Sequence, residues 1–91
     1  MNIVIIWGKI KEKIEFRFMY NRYRKYKTKH ISIARTKIQL INKSMVEVYG
    51  YDAIADEMYR RLQENKNVCI IGKLDSNMKI EVQTIRILPS K

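Results

Sequence analysis

The 91-residue sequence has few of the residues on which disulfides, metal sites and catalytic sites depend. It contains one cysteine, Cys69, and one histidine, His30. A single cysteine excludes a disulfide within the chain, and one histidine with one cysteine does not make a zinc-binding set. The sequence also lacks a glycine-rich phosphate loop and a Ser-His-Asp arrangement. These absences predict a protein that is not an enzyme and that uses no metal and no cofactor.

Long apolar stretches are also missing. A helix that crosses a bilayer needs about 20 consecutive apolar residues. The apolar N-terminus, 1–8, is much shorter, and it carries neither a basic segment nor a small-residue cleavage site. Such a segment is not typical of a signal peptide. The sequence therefore predicts no membrane partner.

Acidic residues are absent from the central third of the chain. No Asp or Glu lies between Glu15 and Glu47, although this interval is rich in Lys and Arg and the formal net charge of the chain is +10. A positive field concentrated in one part of a small domain attracts polyanions. The charge pattern predicts a polyanionic partner. The alternative is a solvated surface in a protein from a genome biased toward Lys and Ile.

The spacing of apolar residues predicts five strands and one helix. Apolar and polar residues alternate in most of the segments, as in strands with one buried face. From Tyr51 to about Glu64 the apolar residues instead follow helical spacing, with Asp52 at the helix N-terminus and Asn65 just beyond its end. Gly8 predicts a bulge or a sharp bend. The predicted strands are 2–20, 30–40, 45–49, 68–74 and 78–88.

This order of elements is typical of one fold. A helix between the third and fourth of five strands is the connectivity of the OB-fold, a small Greek-key barrel that binds oligonucleotides on one face. An SH3-like barrel lacks a full-length internal helix, and a ferredoxin-like fold needs a helix where this sequence has a basic loop. The sequence therefore predicts an all-β fold with one helix, a five-stranded OB-fold barrel that occupies 1–91 as a single domain.

Several segments resemble the bacterial and organellar single-stranded DNA-binding (SSB) proteins. The segment NIVIIWGKI at 2–10 is similar to the first strand of that family. The segment EFRF at 15–18 is similar to the acidic-apolar-Arg-aromatic segment that follows this strand in the family. VEVYG at 46–50 and VCIIGKL at 68–74 are similar to its third and fourth strands, and all three glycines fall on family glycine positions. The resemblance implies an OB-fold that binds single-stranded DNA without catalysis and forms a homodimer or homotetramer.

The short, tail-less members of the family are the more similar ones, namely the SSB-like proteins of plastid and cyanobacterial genomes and the primosomal replication protein N type. The printed sequence ends at Lys91 without an acidic C-terminal peptide, and its loops at 41–44 and 75–77 are shorter than those of larger members. The resemblance implies a replication or repair accessory in a plastid or a bacterial cytoplasm. Replication proteins are expected as further partners.

The candidate binding residues combine cations with flat side chains. Single-strand binders need cations that follow the phosphates and aromatic rings that stack on bases. The loop YNRYRKYK at 20–27 interleaves both kinds, and Tyr49 stands where the resemblance implies a base-stacking aromatic. The alternative is that the loop tyrosines pack on the barrel or on a second subunit. The predicted nucleic-acid-binding residues are Arg17, Arg22, Tyr23, Arg24, Lys25, Tyr26, Lys27, Arg35, Lys37 and Tyr49.

Two other functions stay open at this point. The chain could be a protein-interaction module of a replication or repair complex, in which DNA contact is secondary. It could also be an RNA-binding OB protein, because the basic loop suits either nucleic acid and only the 2′-hydroxyl differs. The only tryptophan, Trp7, lies in an apolar strand and is expected to pack in the core or at a subunit interface rather than on a base.

Overall fold

Strands make up most of the chain, and one helix interrupts them. The computed structural model describes residues 2–20 and 30–89. The strands are β1 (Val4–Ile10), β2 (Glu15–Tyr20), β3 (His30–Gln39), β4 (Met45–Tyr51), β5 (Asn67–Leu74) and β6 (Ile80–Ile87), and the helix α1 (Ala53–Arg61) lies between β4 and β5.

The first predicted strand is divided in two. β1 pairs with β5 along most of its length and with β3 only at Lys9 and Ile10, whereas β2 pairs with β3 along its whole length. The short connection stays attached to β3, because the Lys11 backbone N–H donates to the Lys37 carbonyl at 3.1 Å. Alternation of apolar residues runs through this region, since both strands bury the same side. The pattern therefore predicted one strand where there are two.

Gly8 does not produce the predicted bulge or bend. The pairing of β1 with β5 runs without interruption from Val4 to Lys9, through Gly8 opposite Val68. The glycine is required for another reason. A Cβ atom placed there would lie 2.5 Å from the Gln39 carbonyl oxygen, so β1 and β3 approach each other closely at this point. The irregularity in pairing lies instead between β5 and β6, after Ile71.

The strands close into a barrel. Their order is β1-β5-β6-β4-β3-β2, and β1 also pairs with β3 through Lys9 opposite Gln39 and Ile10 opposite Ile38. β1 and β2 are consecutive parts of the first OB-fold strand, so five strands enclose the core. β4 and β6 are parallel, and the other pairs are antiparallel. The predicted OB-fold is confirmed.

Inward-facing aliphatic side chains from the barrel and from α1 fill the interior. Ile10, Ile38, Val48 and Ile70 are fully buried inside the strands, and Met58 of α1 packs against the same cluster. Each such side chain contributes about 1.5–3 kcal/mol on burial. The helix covers one end of the barrel, so the outer surfaces of the strands are left for other contacts.

The ends of α1 differ in part from the prediction. Tyr51 belongs to β4, and Leu62 is already extended, so the helix is shorter than predicted. Asp52 occupies the N-cap position, but within the described chain its side chain makes no capping hydrogen bond. Asn65 adopts a left-handed conformation with φ 72°, as predicted. No helix in the part of the chain that the structure describes is long and apolar enough to cross a membrane.

Candidate nucleic-acid interface

The predicted binding residues of the described strands lie on one outer surface. Register places Arg35 of β3 opposite Tyr49 of β4, and Ile33 of β3 lies between Arg17 and Tyr51. Because alternate residues of a strand point to the same side, these side chains share the outside of the barrel. This surface, the outer β3 face, comprises Arg17, Ile33, Arg35, Lys37, Tyr49 and Tyr51.

The cations of the outer β3 face are paired with carboxylates. Glu15 accepts hydrogen bonds from both Arg35 and Arg17, the latter at 2.8 Å. Lys37 Nζ lies 3.8 Å from a carboxylate oxygen of Glu12. The hydrogen bond from Arg35 is the main reason why the pKa of Glu15 falls below its usual value, and Glu15 in turn raises the pKa of Arg35. A phosphate that binds here must therefore compete with Glu15.

Tyr49 is held at both ends. Its hydroxyl donates to Asp75 Oδ2 at 2.8 Å, and its ring meets the ring of Tyr51 edge to face, with centroids 5.7 Å apart. Asp75 is itself fixed, because its other oxygen accepts from the backbone N–H groups of Asn77 and Lys79. The short turn between β5 and β6 thus orients a half-buried tyrosine on the outer β3 face.

We expect the phenol of Tyr49 to ionise at a higher pH than an ordinary tyrosine. Burial, and then the hydrogen bond to Asp75, raise the pKa of Tyr49 to about 12, whereas an unfolded chain ionises near 10. The folded state therefore binds this proton more tightly. The resulting stability is fully present below about pH 10 and is lost as the pH rises toward about 12.

Spectrophotometric titration of tyrosinate tests whether the pKa of Tyr49 is raised. One of the six tyrosines should titrate near pH 12, and Tyr49→Phe should remove that component. The absence of a tyrosinate component near pH 12 in the folded protein would contradict it.

Sequence reasoning missed Tyr51 as a candidate. Its position matched the apolar face of the predicted helix, but the structure assigns it to β4, with 42 % of its surface exposed. The signal was present in the sequence, because Tyr49 and Tyr51 are two residues apart and a strand places such residues on one side. Extending the strand past Gly50 would have found it.

Trp7 does not pack in the core, which was one of the two positions expected for it. Its side chain is 59 % exposed, on the outside of β1. Beside it is an open groove of about 480 Å³ between β1, the end of β3 with the loop that follows it, and the segment after β6. This surface, the Trp7 groove, is defined by Trp7, Lys9, Lys11, Gln39, Ile41 and Lys43.

Part of the predicted site lies outside the described residues. The loop residues concerned belong to 21–29, which joins β2 to β3. Their role stays a prediction. They are Arg22, Tyr23, Arg24, Lys25, Tyr26 and Lys27. Within 2–20 and 30–89, no group of three or more His, Cys, Asp or Glu side chains is placed to hold a metal ion.

Comparison with known proteins gives structural similarity only. No family model matches the sequence, and no curated protein matches it. The barrel with its one helix is nevertheless similar to solved SSB domains. It is similar to the SSB domain of a Synechococcus sp. protein, with TM-score 0.74 and 22 % identity over 94 % of each chain.

Two further solved structures are similar. The wild-type single-stranded DNA-binding protein of Thermus aquaticus superposes with TM-score 0.78 at 16 % identity, over all of this chain and 42 % of that one. The small single-stranded DNA-binding protein of Streptomyces coelicolor gives TM-score 0.60 at 12 % identity, over 93 % and 90 % of the two chains. At these identities the similarity establishes the OB-fold of this chain.

Proposed function

We propose that this protein binds single-stranded DNA on the outer β3 face without catalysing a reaction, as an accessory in replication or repair. The observation that carries the proposal is that two neighbouring tyrosines, Tyr49 and Tyr51, stand beside Arg35 on the outside of an OB-fold barrel. Aromatic rings with adjacent cations are what single-strand binding requires. The structural similarity to SSB domains and the sequence resemblance to that family support the same function.

Each kind of side chain has a defined part in this proposal. Arg17, Arg35 and Lys37 contact phosphates, and Tyr49 and Tyr51 stack on bases. Stacking contributes about 1–3 kcal/mol per base and depends little on sequence, because every base has a π-face. The hydrogen bond from Tyr49 to Asp75 fixes its ring before DNA arrives, so less conformational entropy is lost on binding.

A second copy of the chain is the proposed protein partner, in a homodimer or homotetramer. Ile5 is half-exposed on the outside of β1, opposite the partly buried Ile71 of β5, and Ile3 is half-exposed just before β1. Burying this apolar strip against a second copy would remove it from water. A sedimentation coefficient that rises with protein concentration is expected. A monomer at all concentrations would contradict the proposal.

The test of function is a titration of fluorescently labelled oligothymidine of about 15 nucleotides, followed by anisotropy at two salt concentrations. Oligouridine of the same length and a DNA duplex serve as competitors. We expect binding to the single strand that weakens as salt rises, with the duplex competing poorly. Stronger competition by oligouridine would indicate an RNA-binding protein. The absence of binding at low salt would exclude the proposed function.

The carboxylate of Glu15 provides a sharper prediction for the same titration. Glu15→Gln removes the acid that accepts hydrogen bonds from Arg17 and Arg35, so both cations become available to phosphate. Because exposed ion pairs are weak and screened by solvent, affinity should rise only about 1.4- to 5-fold. Glu64→Gln, the same change at an exposed position after α1, is the control and should have a smaller effect. Weaker binding by Glu15→Gln would instead mean that Glu15 holds the arginines in their binding positions.

A further inference from the structure

The Trp7 groove differs in charge from the outer β3 face. Lys9, Lys11 and Lys43 are exposed around it, and the described residues that line it include no carboxylate. None of the ion pairs among residues 2–20 and 30–89 involves these three lysines. The cations of the outer β3 face, by contrast, have Glu12 and Glu15 as partners. The groove is therefore the more electropositive of the two surfaces.

The two surfaces are continuous along β3. Arg35, Lys37 and Gln39 are successive outward positions of this strand, and Gln39 pairs with Lys9 at the groove. A strand rises about 3.3 Å per residue, so Gln39 lies about 13 Å from Arg35. Lys11, which lines the groove, lies beside Lys37 of the outer β3 face, because its backbone N–H donates to the Lys37 carbonyl. A ligand that lies along β3 from Tyr49 reaches the groove without crossing an element of the barrel.

We infer that the Trp7 groove is a second contact for the same nucleic-acid strand, in which a base stacks on Trp7 and phosphates meet Lys9, Lys11 and Lys43. This inference rests on the proposed function and extends it, because it gives the bound strand a path along β3. An exposed indole beside three lysines without a carboxylate suits a chain of bases and phosphates. OB-folds bind about 4–16 nucleotides each, which leaves room for contacts at both ends of β3.

A second copy of this chain is a poorer occupant of the groove than a nucleic acid. A symmetric pairing of two copies through the groove would place Lys9, Lys11 and Lys43 of each copy against those of the other, and like charges disfavour association. Ile41, at the rim, is 98 % exposed and stands beside Lys43, so the apolar part of the rim is bordered by a cation. The charge pattern therefore favours a polyanion.

The test uses Trp7 as its own reporter, because it is the only tryptophan. In the oligothymidine titration, tryptophan emission and the anisotropy of the label are recorded on the same samples. A stacked base quenches indole fluorescence, so we expect emission to fall in parallel with the rise in anisotropy. A rise in anisotropy with unchanged tryptophan emission overturns the inference and leaves the proposed function standing. The absence of both signals overturns both.

A pair of double variants gives an independent readout. Lys11→Gln/Lys43→Gln removes two groove cations and should weaken binding, with a salt slope that is smaller by about 1.4, because each phosphate contact on a single strand contributes about 0.7. The control, Arg60→Gln/Lys73→Gln, removes two exposed cations outside both surfaces. Equal loss of slope in both variants would overturn the inference. So would a concentration-dependent blue shift of Trp7 emission that DNA does not alter, which would identify a second copy as the occupant.

Discussion

Replacing Gly72 with alanine is expected to lower the free energy of unfolding by about 3 kcal/mol or more. A Cβ atom on Gly72 would lie 2.1 Å from the backbone oxygen of Glu81 and 2.9 Å from a methyl group of Ile80. The irregular pairing after Ile71 brings the backbone of β6 over this residue. Backbone cannot move aside as a side chain can, so the new methyl group must separate β5 from β6. The loss of stability should therefore lie at the upper end of the range usual for overpacked substitutions.

Urea unfolding followed by circular dichroism measures the effect, and Gly50→Ala is the control. A Cβ atom on Gly50 would meet the side chains of Ile54 and Met58 rather than backbone. Those side chains can shift, so the control should lose clearly less stability than Gly72→Ala. Equal losses in the two variants would contradict the argument from the close approach of β6.

The second large effect is expected on binding. Changing Tyr49 and Tyr51 together to alanine removes both aromatic rings from the outer β3 face. At about 1–3 kcal/mol per stacked base, the affinity for oligothymidine should fall by at least about 30-fold. The anisotropy titration measures this, and circular dichroism with urea unfolding shows whether the variant still folds, because Tyr49 also loses its hydrogen bond to Asp75.

Two controls separate stacking from stability. The double variant Tyr49→Phe/Tyr51→Phe keeps both rings and should retain most of the affinity even though the Asp75 bond is lost. Tyr59→Ala removes an exposed tyrosine of α1, away from the outer β3 face, and should leave affinity nearly unchanged. Retention of binding by a folded Tyr49→Ala/Tyr51→Ala variant would exclude these rings as the stacking surface.

The fold could be predicted because the sequence patterns that indicate it involve residues close together in the chain. Alternation of apolar residues, the helical spacing after Tyr51 and the left-handed Asn65 each concern neighbouring residues, and together they define an OB-fold. The division of the first strand into β1 and β2 was not predictable in this way. Ile10 and Ile14 continue one alternating pattern, and the division appears only in the pairing, because β1 pairs mainly with β5 and meets β3 only at its last two residues, whereas β2 pairs with β3 throughout.

The charge balance of the candidate site also depends on distant pairing. Sequence analysis placed Arg17, Arg35 and Lys37 in an interval without acidic residues. Glu15 lies at the very edge of that interval, and register brings it opposite Arg35, twenty residues away along the chain. The groove at Trp7 could not be predicted for the same reason, because its walls come from β1, from the loop after β3 and from the segment after β6. An apolar strand pattern does not show which residues its outer side will face.

The carboxylates that pair with the cations of the outer β3 face affect how many phosphate contacts can be inferred from the salt dependence of binding. The slope of affinity against salt reports the small cations that leave the nucleic acid when protein cations neutralise its phosphates. Glu15 offsets one of the two positive charges of Arg17 and Arg35, and this carboxylate is covalently part of the chain and does not diffuse away. A phosphate that replaces it leaves the carboxylate beside the bound strand, so the net charge neutralised is smaller than the number of phosphate contacts. The slope therefore underestimates the phosphate contacts on this face, and the length of bound DNA must be measured by varying oligonucleotide length.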